Sequence, residues 1–219
     1  MTHDEDTNCF EARRNRLRRF REPEVSPFNF KTEDFSSLQL LVLDALRERY
    51  HELAPAETDH SVRSLYVYHG CSESVLDNIC NTGLVNLAGA GDRGYFGAGF
   101  YTTLNIELAA KYAAGDLVPV GRLVPVVMCA AWVGTAYPIT PGRDYGNNPD
   151  RDYARNPHHL PHSDFYGEHF ARGFDCHVAC VGSTASEAVD RSGCQYVEVA
   201  FNQENQVLPL AVLWLERRA

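Results

Sequence analysis

The chain has 219 residues, 44% hydrophobic and 22% charged, which suits one domain with a large core and an N-terminal extension. A formal net charge of −9 makes it a poor nonspecific ligand for phosphate backbones. No apolar run approaches the roughly 18 residues of a membrane span, and the polar, charged start predicts no signal peptide.

Seven cysteines, an odd number, are scattered at Cys9, Cys71, Cys80, Cys129, Cys176, Cys180 and Cys194. Together with the absence of an Asn-x-Ser/Thr site, they predict free thiols in an intracellular setting, cytoplasm or nucleus.

Residues 1–35 read as a charged, flexible arm and residues 36–219 as the folded domain. The arm carries Arg13-Arg14-Asn15-Arg16-Leu17-Arg18-Arg19-Phe20-Arg21. A solvated basic helix is the favoured reading, and a localisation or anion-binding segment the sharper alternative. Ser36 to Leu53 predicts a helix, capped by Ser36-Ser37, with Leu38, Leu40, Leu41, Leu43, Leu46 and Tyr50 as its apolar stripe. Pro55 stops it.

Ser64 to His69 alternates as a strand, with Leu65 and Val67 opposite Tyr66 and Tyr68. Ser72 to Asn81 reads as a short Ser-capped helix that Gly83 ends. A glycine-rich loop over residues 85–100 feeds a strand around Phe100-Tyr101, and Ile106 to Ala114 is helical behind an Asn105 cap.

Arg122 to Val133, Val178 to Gly182, Tyr196 to Phe201 and Val207 to Trp214 are strands, the last two joined by a turn at Asn202–Asn205. Residues 136–174, rich in Pro, Gly, Asn, Asp and His, read as a long irregular excursion. Strands outnumber helices and the helices come early, which predicts an α+β fold with an antiparallel-rich sheet.

Gly89-Ala90-Gly91-Asp92-Arg93-Gly94 matches the dinucleotide fingerprint G-x-G-x-x-G, but that motif must follow a strand and open a helix. Here Tyr95-Phe96-Gly97-Ala98-Gly99-Phe100 follows, and each interior Gly costs a helix about 1 kcal/mol. The glycines instead suit a loop that folds closely over a ligand.

His158, His159, His162, His169, Cys176, His177 and Cys180 cluster in the loop-rich region. Structural zinc favours two tight ligand pairs; Cys176 and Cys180 have a permissible spacing, but Asp175 to Cys180 reads as the edge of a strand, so a polar surface is expected and no metal.

His69-Gly70, then Tyr101 and Tyr112 eleven residues apart, are residue types that grip and cover a flat aromatic amide. Four stretches stand in order: Tyr68-His69-Gly70-Cys71-Ser72; Gly94-Tyr95-Phe96-Gly97-Ala98-Gly99-Phe100-Tyr101; Lys111-Tyr112-Ala113; and Tyr196-Val197-Glu198 with Gln206-Val207-Leu208-Pro209. Over roughly residues 60–216 the chain thereby resembles the catalytic domain of poly(ADP-ribose) polymerases, the diphtheria-toxin-like ADP-ribosyltransferases.

The resemblance implies an ADP-ribosyltransferase fold of two packed, mostly antiparallel half-sheets with short flanking helices. It implies NAD+ as substrate, cleavage of nicotinamide, and transfer of ADP-ribose as one unit or short chains. A protein is the favoured acceptor over a nucleic acid, and no membrane is involved.

Residue by residue, His69, Tyr101 and Glu198 resemble the catalytic set. His69 would bond a ribose, the Gly70 backbone the carboxamide, and Tyr101 and Tyr112 would hold the ring. Arg93 and Tyr95 fall in the segment resembling the donor loop, and residues 136–174 include the acceptor-side loop. Glu198 would stabilise the oxocarbenium-like ribose and, in elongation, activate the incoming hydroxyl.

Two points stay open. A different register puts Gln195 at the family's Glu position, and strand alternation lets only one of Gln195 and Glu198 face the cleft. Ala109 stands where many members have a Ser that bonds the carboxamide, a hydrogen bond worth about 0.5–1.5 kcal/mol. Alternative readings are an NAD+ glycohydrolase and an inactive NAD+ or ADP-ribose binding module.

Overall fold

The computed structural model describes residues 7–8, 10–12, 35–53, 64–84, 94–115, 120–145, 163–183 and 187–217. Among them the fold is α+β. Its helices are α1 (Ser37–Leu53), α2 (Glu73–Thr82) and α3 (Ile106–Ala114). Its strands are β1 (Ser64–Gly70), β2 (Phe100–Thr103), β3 (Leu123–Trp132), β4 (Ala136–Ile139), β5 (Cys176–Val181), β6 (Tyr196–Phe201) and β7 (Val207–Glu216), with a 3-10 turn at Glu204–Gln206 before β7. No helix among the described residues is long and apolar enough to cross a membrane.

The strands form one open sheet in the order β4-β5-β6-β2-β1-β3-β7. Every pairing is antiparallel except β4 with β5. The ladders are long within β1-β3-β7 and within β5-β6-β2. Between β1 and β2 a single pair is registered, Tyr68 with Thr103. The hydrogen bonds thus draw one continuous sheet with a weak seam, where the sequence reading expected two half-sheets.

Period-two alternation sorts the side chains between two faces. Leu65 and Val67 of β1, Cys176, Val178 and Cys180 of β5, and Val197 and Val199 of β6 bury one face under α1 and α2. On the opposite face, α3 lays Ala109 and Ala110 on Val124 and Val126, while Ala179 and Val181 pack with Leu108 and Phe96. Glu198, between Val197 and Val199, therefore belongs to the α3 face.

Several elements differ from the sequence reading. In α1 the inward residues are Gln39, Val42, Leu43 and Leu46, while Leu38 and Leu41 are exposed. A polar residue leads the buried stripe because the fold satisfies it. Gln39 Nε2 donates to the Pro138 carbonyl, its Oε1 accepts from Arg143, and it shares reciprocal capping bonds with Ser36.

Ser72 and Asn105 hold the N-cap positions of α2 and α3 but make no side-chain cap bond. Asn105 Oδ1 instead accepts from Val197 N at 3.0 Å, tying the β2–α3 junction to β6. The excursion at 136–174 contains a strand, β4, which pairs in parallel with β5. Its Pro138 and four-residue length hid it; Pro is tolerated there because β4 is an edge strand. β5 itself starts at Cys176, two residues earlier than read.

Within the segment read as a flexible arm, Phe10 is buried and stacks on Trp132, ring centroids 5.0 Å apart. The Arg13–Arg21 stretch lies outside the described residues. So do His158, His159 and His162 of the histidine cluster.

His177 has a structural job. Its Nε2 accepts from Ala171 N at 2.9 Å, so the proton sits on Nδ1 and is donated to the Phe96 carbonyl at 2.7 Å. The ring is walled by Tyr137, Phe165 and Phe170. Burial is the main cause that lowers its pKa to about 4; the Phe96 bond opposes it. The unfolded chain binds this proton near the ordinary value of 6.5.

Stability from neutral His177 is therefore complete above about pH 6.5 and is lost as pH falls toward 4, a difference of roughly 3 kcal/mol. Urea unfolding from pH 7 to 4 is expected to show a falling midpoint. His177→Gln should flatten that slope while lowering stability at pH 7. An equally steep decline in the variant would show that other groups control acid sensitivity.

Candidate active site

The site starts at the seam. β1 is paired with β3 as far as Gly70 opposite Val126, but with β2 only at Tyr68. Continued pairing would set Gly70 opposite Tyr101. Instead His69 Nδ1 bonds the Tyr101 carbonyl at 2.9 Å. The imidazole, on the Leu65–Val67 side of β1, packs on Phe100 with centroids 4.7 Å apart. Nδ1 is the donor, because a carbonyl only accepts.

Desolvation pulls the His69 pKa below its ordinary value, and the Tyr101 bond offsets this in part. The ring is thus neutral at pH 7. Nε2, carrying no proton in that tautomer, is left as an acceptor.

The cavity at the seam has a volume of about 190 Å³ and is bordered by Tyr68, His69, Gly70, Tyr101, Tyr112 and Glu198, with Gly94, Tyr95, Thr102 and Thr103. That is below the range for drug-sized ligands, and it suits one small ring. Of the sequence-predicted set, His69, Gly70, Tyr95, Tyr101, Tyr112 and Glu198 share this cavity. Arg93 lies outside the described residues.

Ala109 does not border the cavity; it is fully buried in α3. A Cβ built on Gly70 would run into the Ala109 carbonyl and lie 2.7 Å from its carbonyl carbon. The Gly70–Ala109 approach is thus a backbone packing contact, and the helix rests on the strand because neither residue adds bulk.

Tyr101 closes the glycine-rich turn on itself. Its hydroxyl accepts from Phe96 N at 2.6 Å and donates to the Gly97 carbonyl at 2.9 Å. Gly94, at φ 69, sits against this ring; a Cβ there would lie 2.9 Å from the Tyr101 hydroxyl. Residues beyond 162 support the turn from behind: Ala98 N donates to the Glu168 carbonyl, Gly167 N to the Gly94 carbonyl, and Ser163 Oγ to the Tyr95 carbonyl. The described part of this segment thus braces the glycine-rich turn, a role with no signal in the sequence.

Glu198 is only 3% exposed, yet it borders the cavity. Tyr112, half exposed on α3, donates its hydroxyl to Glu198 Oε1 at 2.6 Å. Beside it Lys111 Nζ lies 3.0 Å from the Tyr196 hydroxyl. Gln195 is exposed and precedes β6, its backbone N–H bonded to Val181. Of the two residues that the register left open, Glu198 is the one at the cavity.

The described residues contain no group of three or more His, Cys, Asp or Glu arranged to hold a metal ion. His177, counted in the histidine cluster, has both ring nitrogens committed to backbone. The arrangement offers a neutral imidazole acceptor, a half-buried strand end, two phenol rings and a buried carboxyl group around one small space.

No protein-family model matches the chain, and no curated protein matches it.

Gly70→Ala tests the seam. The added methyl meets helix backbone, which cannot step aside, so a stability loss of about 1–3 kcal/mol is expected from overpacking. Thermal unfolding of this variant against Gly115→Ala, where nothing lies within 4 Å of the added carbon but φ is 75, separates the clash from backbone strain. Equal losses would count against the packing account.

Proposed function

We propose that the chain is an NAD+-dependent ADP-ribosyltransferase with the ADP-ribosyltransferase fold, its two half-sheets being β4-β5-β6-β2 and β1-β3-β7. The observation that carries the proposal is the convergence of His69, Gly70, Tyr101, Tyr112 and Glu198, from four separate stretches of sequence, on one cavity sized for a single ring. The weak seam between β1 and β2 supports the half-sheet reading.

In this mechanism the Gly70 backbone grips the carboxamide of nicotinamide, and Tyr101 and Tyr112 flank its ring. His69 Nε2 accepts from a ribose hydroxyl. Arg93 and Tyr95 belong to the loop over the dinucleotide. Glu198 bonds the 2′-hydroxyl and faces the positive charge that grows on the ribose as nicotinamide leaves. A carboxylate already fixed at a buried position stabilises that charge without reorganising. Ala109 supplies no hydroxyl to the carboxamide.

The ADP-ribose passes to an acceptor, a protein side chain in the favoured version, as a single unit or short chain. The free thiols of Cys71, Cys80, Cys129, Cys176, Cys180 and Cys194 fit an intracellular setting. Glu198 at the cavity favours an enzyme over an inactive binding module, which needs no carboxylate there.

The test uses NAD+ labelled on the adenine. Wild-type protein should release nicotinamide and acquire label. Glu198→Gln should slow release by about 10²–10³-fold, the scale of losing one transition-state stabiliser. No nicotinamide from wild type would overturn the proposal. Release with all label in free ADP-ribose would make it a glycohydrolase, and an unimpaired variant would remove Glu198 from the mechanism.

A further inference from the structure

The Tyr112–Glu198 hydrogen bond joins two residues with opposite environments. Glu198 is almost wholly buried on β6, and Tyr112 is half exposed on α3. A carboxylate taken out of water must be hydrogen-bonded to stay charged. At 2.6 Å the bond lies at the short end of the O–H···O range, where bonds from a hydroxyl to a carboxylate also fall. Ring stacking alone does not call for this bond, since a phenylalanine stacks as well.

The geometry around it is fixed from both sides. One residue earlier on α3, Lys111 is held over the Tyr196 ring at 4.8 Å and against its hydroxyl. Tyr196 is two residues before Glu198 and so on the same face of β6. The last turns of α3 thus touch β6 at two successive points. Gly70 lets the helix sit low enough for both, because any side chain there would strike the Ala109 carbonyl and crowd Tyr112 Cβ.

We infer that Tyr112 is a positioning residue for Glu198: its hydroxyl holds the carboxylate ionised and aimed into the cavity, separately from any role of its ring. The inference rests on the ADP-ribosyl transfer reading and adds a residue to it. A carboxylate oxygen has more than one acceptor site, so the phenol does not exhaust Glu198. Without the phenol, Glu198 keeps its burial and loses a donor. It then takes up a proton more readily and turns more freely.

Among the described residues, the other titratable groups that border the cavity with Glu198 are Tyr68 and His69 from β1, Tyr95 from the turn before β2 and Tyr101 from β2; Lys111 of α3 bonds the neighbouring Tyr196, and the Tyr145 phenol is pushed up chiefly by burial and in small part by the Glu198 charge. His69 is already neutral, so it does not substitute as the group that keeps Glu198 charged.

The experiment compares wild type, Tyr112→Phe, Tyr112→Ala and Glu198→Gln by nicotinamide release across pH. A parallel infrared difference titration follows the protonated-carboxyl band that Glu198→Gln removes. Tyr112→Phe should lower kcat by roughly 10- to 100-fold, the worth of a charge-assisted bond, with KM for NAD+ changed by no more than about twofold. Its acid limb and its carboxyl band should both move to higher pH. Tyr112→Ala should raise KM in addition, because the ring is gone.

A Tyr112→Phe variant with wild-type kcat, or with a raised KM alone, would overturn the inference. So would a lower kcat with an unmoved carboxyl band, since the effect would then be structural. If wild type releases no nicotinamide but the band still moves in Tyr112→Phe, the transfer reading fails and the link between phenol and carboxylate stands.

Discussion

Pairing between β1 and β2 stops after Tyr68 and Thr103, and the cavity exists because it stops there. An uninterrupted ladder would set Gly70 against Tyr101 and fill the space with backbone hydrogen bonds. The His69 imidazole takes the Tyr101 carbonyl instead, so the opened strand end leaves no acceptor wasted. That one substitution of a side chain for a strand partner fixes the His69 tautomer. It also opens a gap between two well-paired halves of the sheet and leaves Gly70 at its rim.

The walls of the gap are held by elements remote in sequence. From one side α3 rests on Gly70 and reaches across to β6. From the other, the 94–99 turn is wired to the Tyr101 hydroxyl and backed by Ser163, Gly167 and Glu168. His177 joins these layers through Phe96 and Ala171. Two neutral histidines and one buried carboxylate, each bonded to a fixed partner, make a site whose charge pattern is set by burial more than by surface ion pairs.

Much of this was legible. The helix at Ile106–Ala114 and the strand at Tyr196–Phe201 emerge with the bounds read from periodicity, since each carries a strong pattern between turn residues. His69, Tyr101, Tyr112 and Glu198 were singled out in the sequence, and the fold brings all four to one cavity. Three features were not. β4 is too short and carries a proline; Gln39 takes a core position that a hydropathy stripe assigns to leucine; and Asn105 spends its side chain on Val197 rather than on a cap. Each is decided by a partner far along the chain, where local pattern has no reach.

The sequence by itself determined the α+β class, the alternation that puts Leu65 and Val67 on one face of β1, and the residue types available for chemistry. All of these follow from local periodicity and side-chain identity. The tertiary structure alone decided that Glu198 rather than Gln195 stands at the cavity, that Ala109 packs on Gly70 instead of bordering the cavity, and that the Tyr112 hydroxyl reaches Glu198. Those outcomes depend on strand register and on how closely one helix approaches one strand, and both are set by contacts between segments up to about a hundred residues apart.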